Sequence, residues 1–178
     1  MAHVLWLLVG VLAVVVLDLG AGLSGQTAVA LALGQGGYHR AATEAEKTLD
    51  RVLRLSEKDP DLVAFLLATP QYKARAGKDY GRYVTPRLRT DLAALERATV
   101  AENCQGKYLD GELCGLDYNP LTCAQDLADG AYLYQTASSG DGRAEISYKW
   151  PGEKDSLGRF TLVQDGGVWK IDAVTCLP

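Results

Sequence analysis

Residues 131–176 read AYLYQTASSGDGRAEISYKWPGEKDSLGRFTLVQDGGVWKIDAVTC, and their period decides the fold. Apolar and polar residues alternate over 131–137, 143–150, 159–164 and 168–175, the two-residue period of strands that bury one face. Turn chemistry separates the runs: Ser139-Gly140-Asp141-Gly142, then Pro151-Gly152 with Asp155, then Asp165-Gly166-Gly167. The spacing predicts a four-strand antiparallel meander. In its second strand Ala144, Ile146, Tyr148 and Trp150 share one face, while Arg143, Glu145, Ser147 and Lys149 share the other. In its fourth, Trp169, Ile171 and Ala173 oppose Lys170 and Asp172. One face is wet and the other needs cover.

The preceding residues supply that cover as helices. Thr43 and Glu46 form a capping-box pattern, after which Ala45, Leu49, Val52, Leu53 and Ser56 recur on one side, with Asp50 and Arg54 paired outside. Asp59-Pro60 offers an N-cap and a first-turn proline for a short apolar turn, Asp61 to Ala68, that Pro70 stops. Thr85-Pro86 repeats the start signal, and Leu88, Leu92, Leu95 and Thr99 keep one face of a helix of about five turns. Helices first and a curved antiparallel sheet afterwards make an α+β fold, a single domain over 43–178.

Between helix and sheet, residues 103–129 lose all periodicity, are punctuated by Gly106, Gly111, Gly115 and Pro120, and carry Cys104, Cys114 and Cys123. The fourth cysteine, Cys176, lies in the last strand. No Cys-x-x-Cys knuckle and no nearby histidine exist to make a zinc site, so the cysteines read as disulfides. Four cysteines admit three pairings; Cys104 with Cys114 and Cys123 with Cys176 is preferred, the second closing a long loop for about 4 kcal/mol on the chain-entropy account.

Disulfides imply export, and the chain start agrees. Val4 to Leu17 (VLWLLVGVLAVVVL) is uncharged, ends at Asp18 and is followed by a small-residue tract to Gly25. It is shorter than the roughly 20 residues of a membrane span. It matches the apolar region of a signal peptide, with Gly25, Ala28-x-Ala30 or Ala30-x-Ala32 as cleavage ends. The alternative is an uncleaved N-terminal membrane anchor in the inner membrane. The expected organisation is therefore a leader or anchor over 1–25, a flexible linker over 26–42 and the folded domain beyond, in the periplasm or secreted.

The chain has 178 residues, 48% of them hydrophobic and 22% charged, with 18 basic against 22 acidic side chains and a net charge of −4. That excludes a disordered chain, and the absence of any basic block excludes nucleic acid as a partner. His3 and His39 are the only histidines, one in the leader and one in the linker. Ser-His-Asp and Cys-His catalysis are thereby removed from the expectations. No phosphate loop, nucleophile elbow or dinucleotide fingerprint occurs, so no cofactor and no metal is expected and no catalytic residue is assigned.

Three stretches carry a resemblance: Tyr83-Val84-Thr85-Pro86-Arg87-Leu88, Leu116-Asp117-Tyr118-Asn119-Pro120-Leu121 running into Ala124-Gln125-Asp126, and Gly167-Val168-Trp169-Lys170-Ile171-Asp172. Over about residues 43–176 the chain resembles the bacterial exported family called domain of unknown function 3828. That family belongs to the cone-shaped α+β superfamily of nuclear transport factor 2 and ketosteroid isomerase. The resemblance implies a pocket between helices and sheet, and a homodimer through the open sheet face; it implies no reaction.

The candidate ligand-binding residues are Asp117, Tyr118, Asp126, Tyr132, Tyr134, Tyr148 and Trp150, since tyrosine-rich strands offer an apolar lining with a few polar groups, although aromatics on alternating strand positions read first as core. An aspartate base with a tyrosine donor would instead make an acid-base site of the ketosteroid-isomerase kind. Against that, the Asp117-x-Asn119-Pro120 stretch reads first as a turn, its aspartate capping backbone amides. Oxygen ligands for calcium are present, but their spacing fits no EF-hand loop. Arg82, Arg87 and Arg89, mixed with Asp79 and Asp91, read as a solvated face. The expected function is an exported, non-enzymatic binding module for a small apolar ligand or a partner protein. The rivals are an Asp/Tyr enzyme and an immunity or inhibitor protein for a secreted toxin. An enzyme requires Asp117 or Asp126 directed into the pocket, whereas a binding module keeps both at the surface.

Overall fold

Three helices, α1 (Glu44–Lys58), α2 (Pro60–Leu67) and α3 (Pro86–Cys104), precede four strands, β1 (Leu133–Gly140), β2 (Arg143–Lys149), β3 (Gly158–Asp165) and β4 (Val168–Cys176). The strands form one antiparallel sheet in the order β1-β2-β3-β4. The α+β meander read from the sequence is the observed architecture. This computed structural model describes residues 37–70, 72, 77–127 and 129–178, so the apolar leader and its cleavage sites lie outside the described residues. Among the described residues no helix is long and apolar enough to cross a membrane.

Two glycine-bearing turns fix the register. Asp141 and Gly142 have φ of 48° and 71°, and Gly166 and Gly167 have 59° and 81°. Positive φ at both central positions matches the right-handed twist of the strands a tight hairpin joins. The first turn is shorter than the four residues 139–142, because Ser139 and Gly140 still pair with Ala144 and Arg143.

The fourth strand departs from simple alternation. Thr161 pairs with Ala173 and Leu162 with Ile171, which leaves Asp172 as the extra residue of a bulge. Asp172 is therefore buried, not on the wet face, and Val174 replaces Ala173 on the core side opposite Phe160. Its carboxylate accepts from Thr85 Oγ1 at 2.8 Å and from Arg87 at 3.0 Å. Next to it Val84 forms a parallel bridge to Ile171, with Thr85 N–H donating to the Ile171 carbonyl at 2.9 Å. The start of α3 is thus clamped to an edge of the sheet.

The capping box of α1 forms as read: Glu46 N–H donates to Thr43 Oγ1 at 3.2 Å and Thr43 N–H to Glu46 Oε2 at 3.0 Å. Leu49, Val52 and Leu53 then enter the core with Ile146, Phe160 and Leu162 of the sheet. The buried face of α3 is Leu88, Leu92, Glu96 and Val100, while Leu95 is 42% exposed and Thr99 half-buried. The face is rotated because Glu96 is drawn inward by donors from the following loop, Tyr108 hydroxyl at 2.8 Å and Leu116 N–H at 2.8 Å. The disulfides are Cys104–Cys114 and Cys123–Cys176, the preferred pairing.

The linker reading extends too far. His39 pairs with Tyr134 of β1, His39 N–H to Tyr134 O at 2.9 Å and Tyr134 N–H to His39 O at 2.7 Å. Its ring lies 3.2 Å from the buried Glu46 carboxylate. A histidine therefore belongs to the folded domain, which the reading of the sequence placed outside it.

Candidate functional site

A groove of about 490 Å³ lies between α2 and the disulfide-bearing loop. Its helix side is Pro60, Val63, Ala64 and Leu67, and its loop side is Leu113 and Leu116. Ser56, Thr69, Asp117, Tyr118, Asn119 and Gln125 contribute the polar rim.

Both walls follow from local sequence. Pro60 starts α2 where its missing N–H costs nothing, and the helix ends at Ala68 in the left-handed region, φ 51°. Asp59 does not cap that helix through its side chain. It accepts instead from Lys78 Nζ at 2.8 Å and Tyr80 hydroxyl at 2.8 Å, and the Lys78 bond chiefly holds its carboxyl below the ordinary range. Seven of the eight α2 residues, PDLVAFLL, are not charged, so after Leu62, Leu66 and Leu67 are buried an apolar surplus remains for the groove.

The loop wall is set by covalent and buried polar contacts. Cys104–Cys114 folds the loop back on the end of α3 and leaves Leu113 67% exposed beside it. Gly115 passes against Glu96 so closely that a Cβ there would sit 2.0 Å from Oε1. Burial and the adjacent Glu96 push the Tyr108 hydroxyl up to about 12, so it stays a donor. Asn119, not Asp117, caps the turn: its Oδ1 accepts from Leu121 N–H at 2.9 Å and its Nδ2 donates to Ser56 Oγ at 2.9 Å. Asp117 is exposed at the rim and accepts from Gln125 Nε2 at 2.8 Å.

The other candidates lie elsewhere. Asp126 is exposed and outside the groove. Tyr132, Tyr134 and Tyr148 are 1%, 0% and 0% exposed, which leaves no water-sized space against them. Each hydroxyl is taken: Tyr134 donates to Asp50 at 2.9 Å, Tyr132 to Glu57 and Tyr148 to the Thr122 carbonyl. Desolvation first, then these neighbouring carboxylates, push all three hydroxyls upward. Tyr132 and Tyr148 meet edge-on at 5.4 Å, as do Tyr148 and Phe160 at 5.7 Å. These rings fill the space between helices and sheet where an open pocket was expected. Trp150 is half-buried at the edge of that core.

Thus the structure brings Asp117 and Tyr118 to one groove and assigns Tyr132, Tyr134 and Tyr148 to the core. Val63, Ala64, Leu67 and Leu113 were missed as site residues. Their signal in the sequence is an eight-residue helix apolar on every side, facing an apolar residue next to a cysteine. Comparison of the chain with protein-family models, with curated proteins and with solved structures finds no match in any of the three.

Proposed function

We propose that the protein is an exported, disulfide-bonded binding module that holds a small apolar ligand in the groove between α2 and the loop 105–123. The observation that carries this reading is the groove itself: about 490 Å³, an aliphatic floor and a rim of hydroxyl, amide and carboxylate groups. Ligand pockets have this size and this division between apolar lining and few polar groups. Export is supported by the two disulfides, which fit an oxidising compartment, and by the signal-peptide pattern of Val4 to Leu17.

The nuclear transport factor 2-like cone is the fold we propose for this module. In its support, two of the stretches that carry the resemblance meet: Thr85 and Arg87 of the first hold Asp172 of the last. The enzyme reading has less behind it, because Asp117 lies exposed on the rim holding Gln125 and Asp126 lies outside the groove.

Titration of the oxidised, exported chain with the neutral dye Nile red tests the proposal. Ala64→Trp fills the groove from its helix wall and is expected to weaken dye binding by about tenfold or more, with the fold intact by circular dichroism. Unchanged dye affinity in Ala64→Trp refutes the groove as the site.

A further inference from the structure

We propose that a second cleft, between α1, the turn Tyr80–Arg82 and the β3–β4 hairpin, is a binding site for a small aromatic anion. The inference goes beyond the apolar groove and shares no residue with it. The cleft measures about 340 Å³ and is lined by Thr48, Arg51, Arg82, Tyr83, Val168 and Trp169. A second depression of about 450 Å³ shares Arg51 and Tyr83 with it and adds Lys47, Arg54 and Lys58 along α1. A chain of net charge −4 thus concentrates basic side chains around one recess.

The ion pairs divide these cations into spent and available. Arg54 holds Asp50 at 3.1 Å and Lys47 holds Glu44 at 2.8 Å. Arg51 and Arg82 make no ion pair among the described residues. Glu44, which feels the charge of Arg51, is the carboxylate Lys47 already holds. Arg82 lies over the Tyr83 ring at 4.6 Å and donates to its hydroxyl, so its guanidinium is pre-positioned.

Of the neighbouring arginines, Arg87 is bound to Asp172 and Asp91, whereas Arg89 makes no ion pair among the described residues but lies against the Phe65 carbonyl and ring, away from the cleft. In the recess, two guanidiniums without a carboxylate partner among the described residues face ring surface, which gives it both halves of an aromatic-anion site.

Two guanidiniums favour a carboxylate or phosphate, whose oxygens match their planar fork. Trp169 and Tyr83 supply ring surface, and Val168 remains 54% exposed beside them. Trp169 packs on the core from β4 and Tyr83 is tied to Ile171 through the backbone, so the apolar wall is held by the sheet. A recess near the lower limit of ligand pockets suits one flat ring carrying one anionic group.

The test is calorimetric titration of the exported chain with phenyl phosphate, inorganic phosphate and phenol. Phenyl phosphate is expected to bind at least about tenfold tighter than either fragment, and Arg51→Gln and Arg82→Gln each to weaken it at least about tenfold. Trp169→Leu is expected to weaken phenyl phosphate while leaving inorganic phosphate unchanged; the uncharged Val168→Ser gives the same contrast where Trp169→Leu fails to fold. Nile red binding stays at wild-type level in the arginine variants, which keeps this result separate from that of the groove. Equal affinity for phenyl phosphate and either fragment, wild-type affinity in both arginine variants, or no binding at millimolar concentration overturns the proposal. Tighter binding of polyglutamate than of phenyl phosphate also overturns it, in favour of an acidic macromolecule.

Discussion

Glu46 shows how one residue can be half legible. Its place in a capping box with Thr43 follows from spacing alone, but its burial does not. The side chain is 0% exposed and also accepts from Ala42 N–H at 2.9 Å and from Thr136 Oγ1 at 2.6 Å. Thr136 is ninety residues away in the chain, so no local pattern announces it. Burial pushes the Glu46 carboxyl up, yet the bonds from Thr136, Thr43 and Ala42 and the charge of His39 outweigh it and hold it below 4.5. His39 moves the other way, above 6.5, through its bond to the Gly37 carbonyl and the Glu46 charge against a smaller burial effect. A lowered carboxyl contributes stability that is present above about 4.5 and lost as pH falls through its folded value. A raised imidazole contributes stability that is present below about 6.5 and lost as pH rises through its folded value, a small effect for a half-exposed ring. Urea melts should therefore place this pair's full contribution between about pH 4.5 and 6.5. There Glu46→Gln should cost about 2 kcal/mol, with the acid limb of the pH profile flattened. A loss under about 0.5 kcal/mol would show that the carboxylate is not the organiser of this corner.

Elements were legible where sequence and geometry share a cause. Asp141-Gly142 and Gly166-Gly167 sit in hairpins that require positive φ, so the strands fell where the turns put them. The buried face of α3 was misplaced because Glu96, a charged residue, takes a core position only once Tyr108 and Leu116 are folded against it. Asp172 was assigned to the wet face because strict alternation cannot foresee a bulge. The two disulfides act on different elements and should separate experimentally. Cys123–Cys176 closes 53 positions and Cys104–Cys114 closes ten, which on the chain-entropy account are worth about 4 and about 3 kcal/mol. The shorter bridge positions Leu113 at the groove. Replacing Cys104 and Cys114 together by Ala should therefore cost less stability but more Nile red affinity than replacing Cys123 and Cys176. The reverse order of dye affinities would detach the loop from the site.

At the scale of the whole molecule, the strand tyrosines explain why fold outran function in the sequence. Alternation correctly placed Tyr148 on the covered face, but whether a covered face holds an open pocket depends on what fills it. Here the filling comes from α1, whose Asp50 and Glu57 take the hydroxyls of Tyr134 and Tyr132. Opening was left at the margin, where the surplus apolar side of α2 meets a loop braced by a disulfide. Native and denaturing mass spectrometry of the protein isolated from a periplasmic fraction reads directly whether this margin holds a small apolar ligand. The expected result is a disulfide-bonded chain that carries extra mass under native conditions, loses it on denaturation, and lacks it in Ala64→Trp. Identical native and denatured masses for the wild-type chain, or the same extra mass in Ala64→Trp, would contradict it.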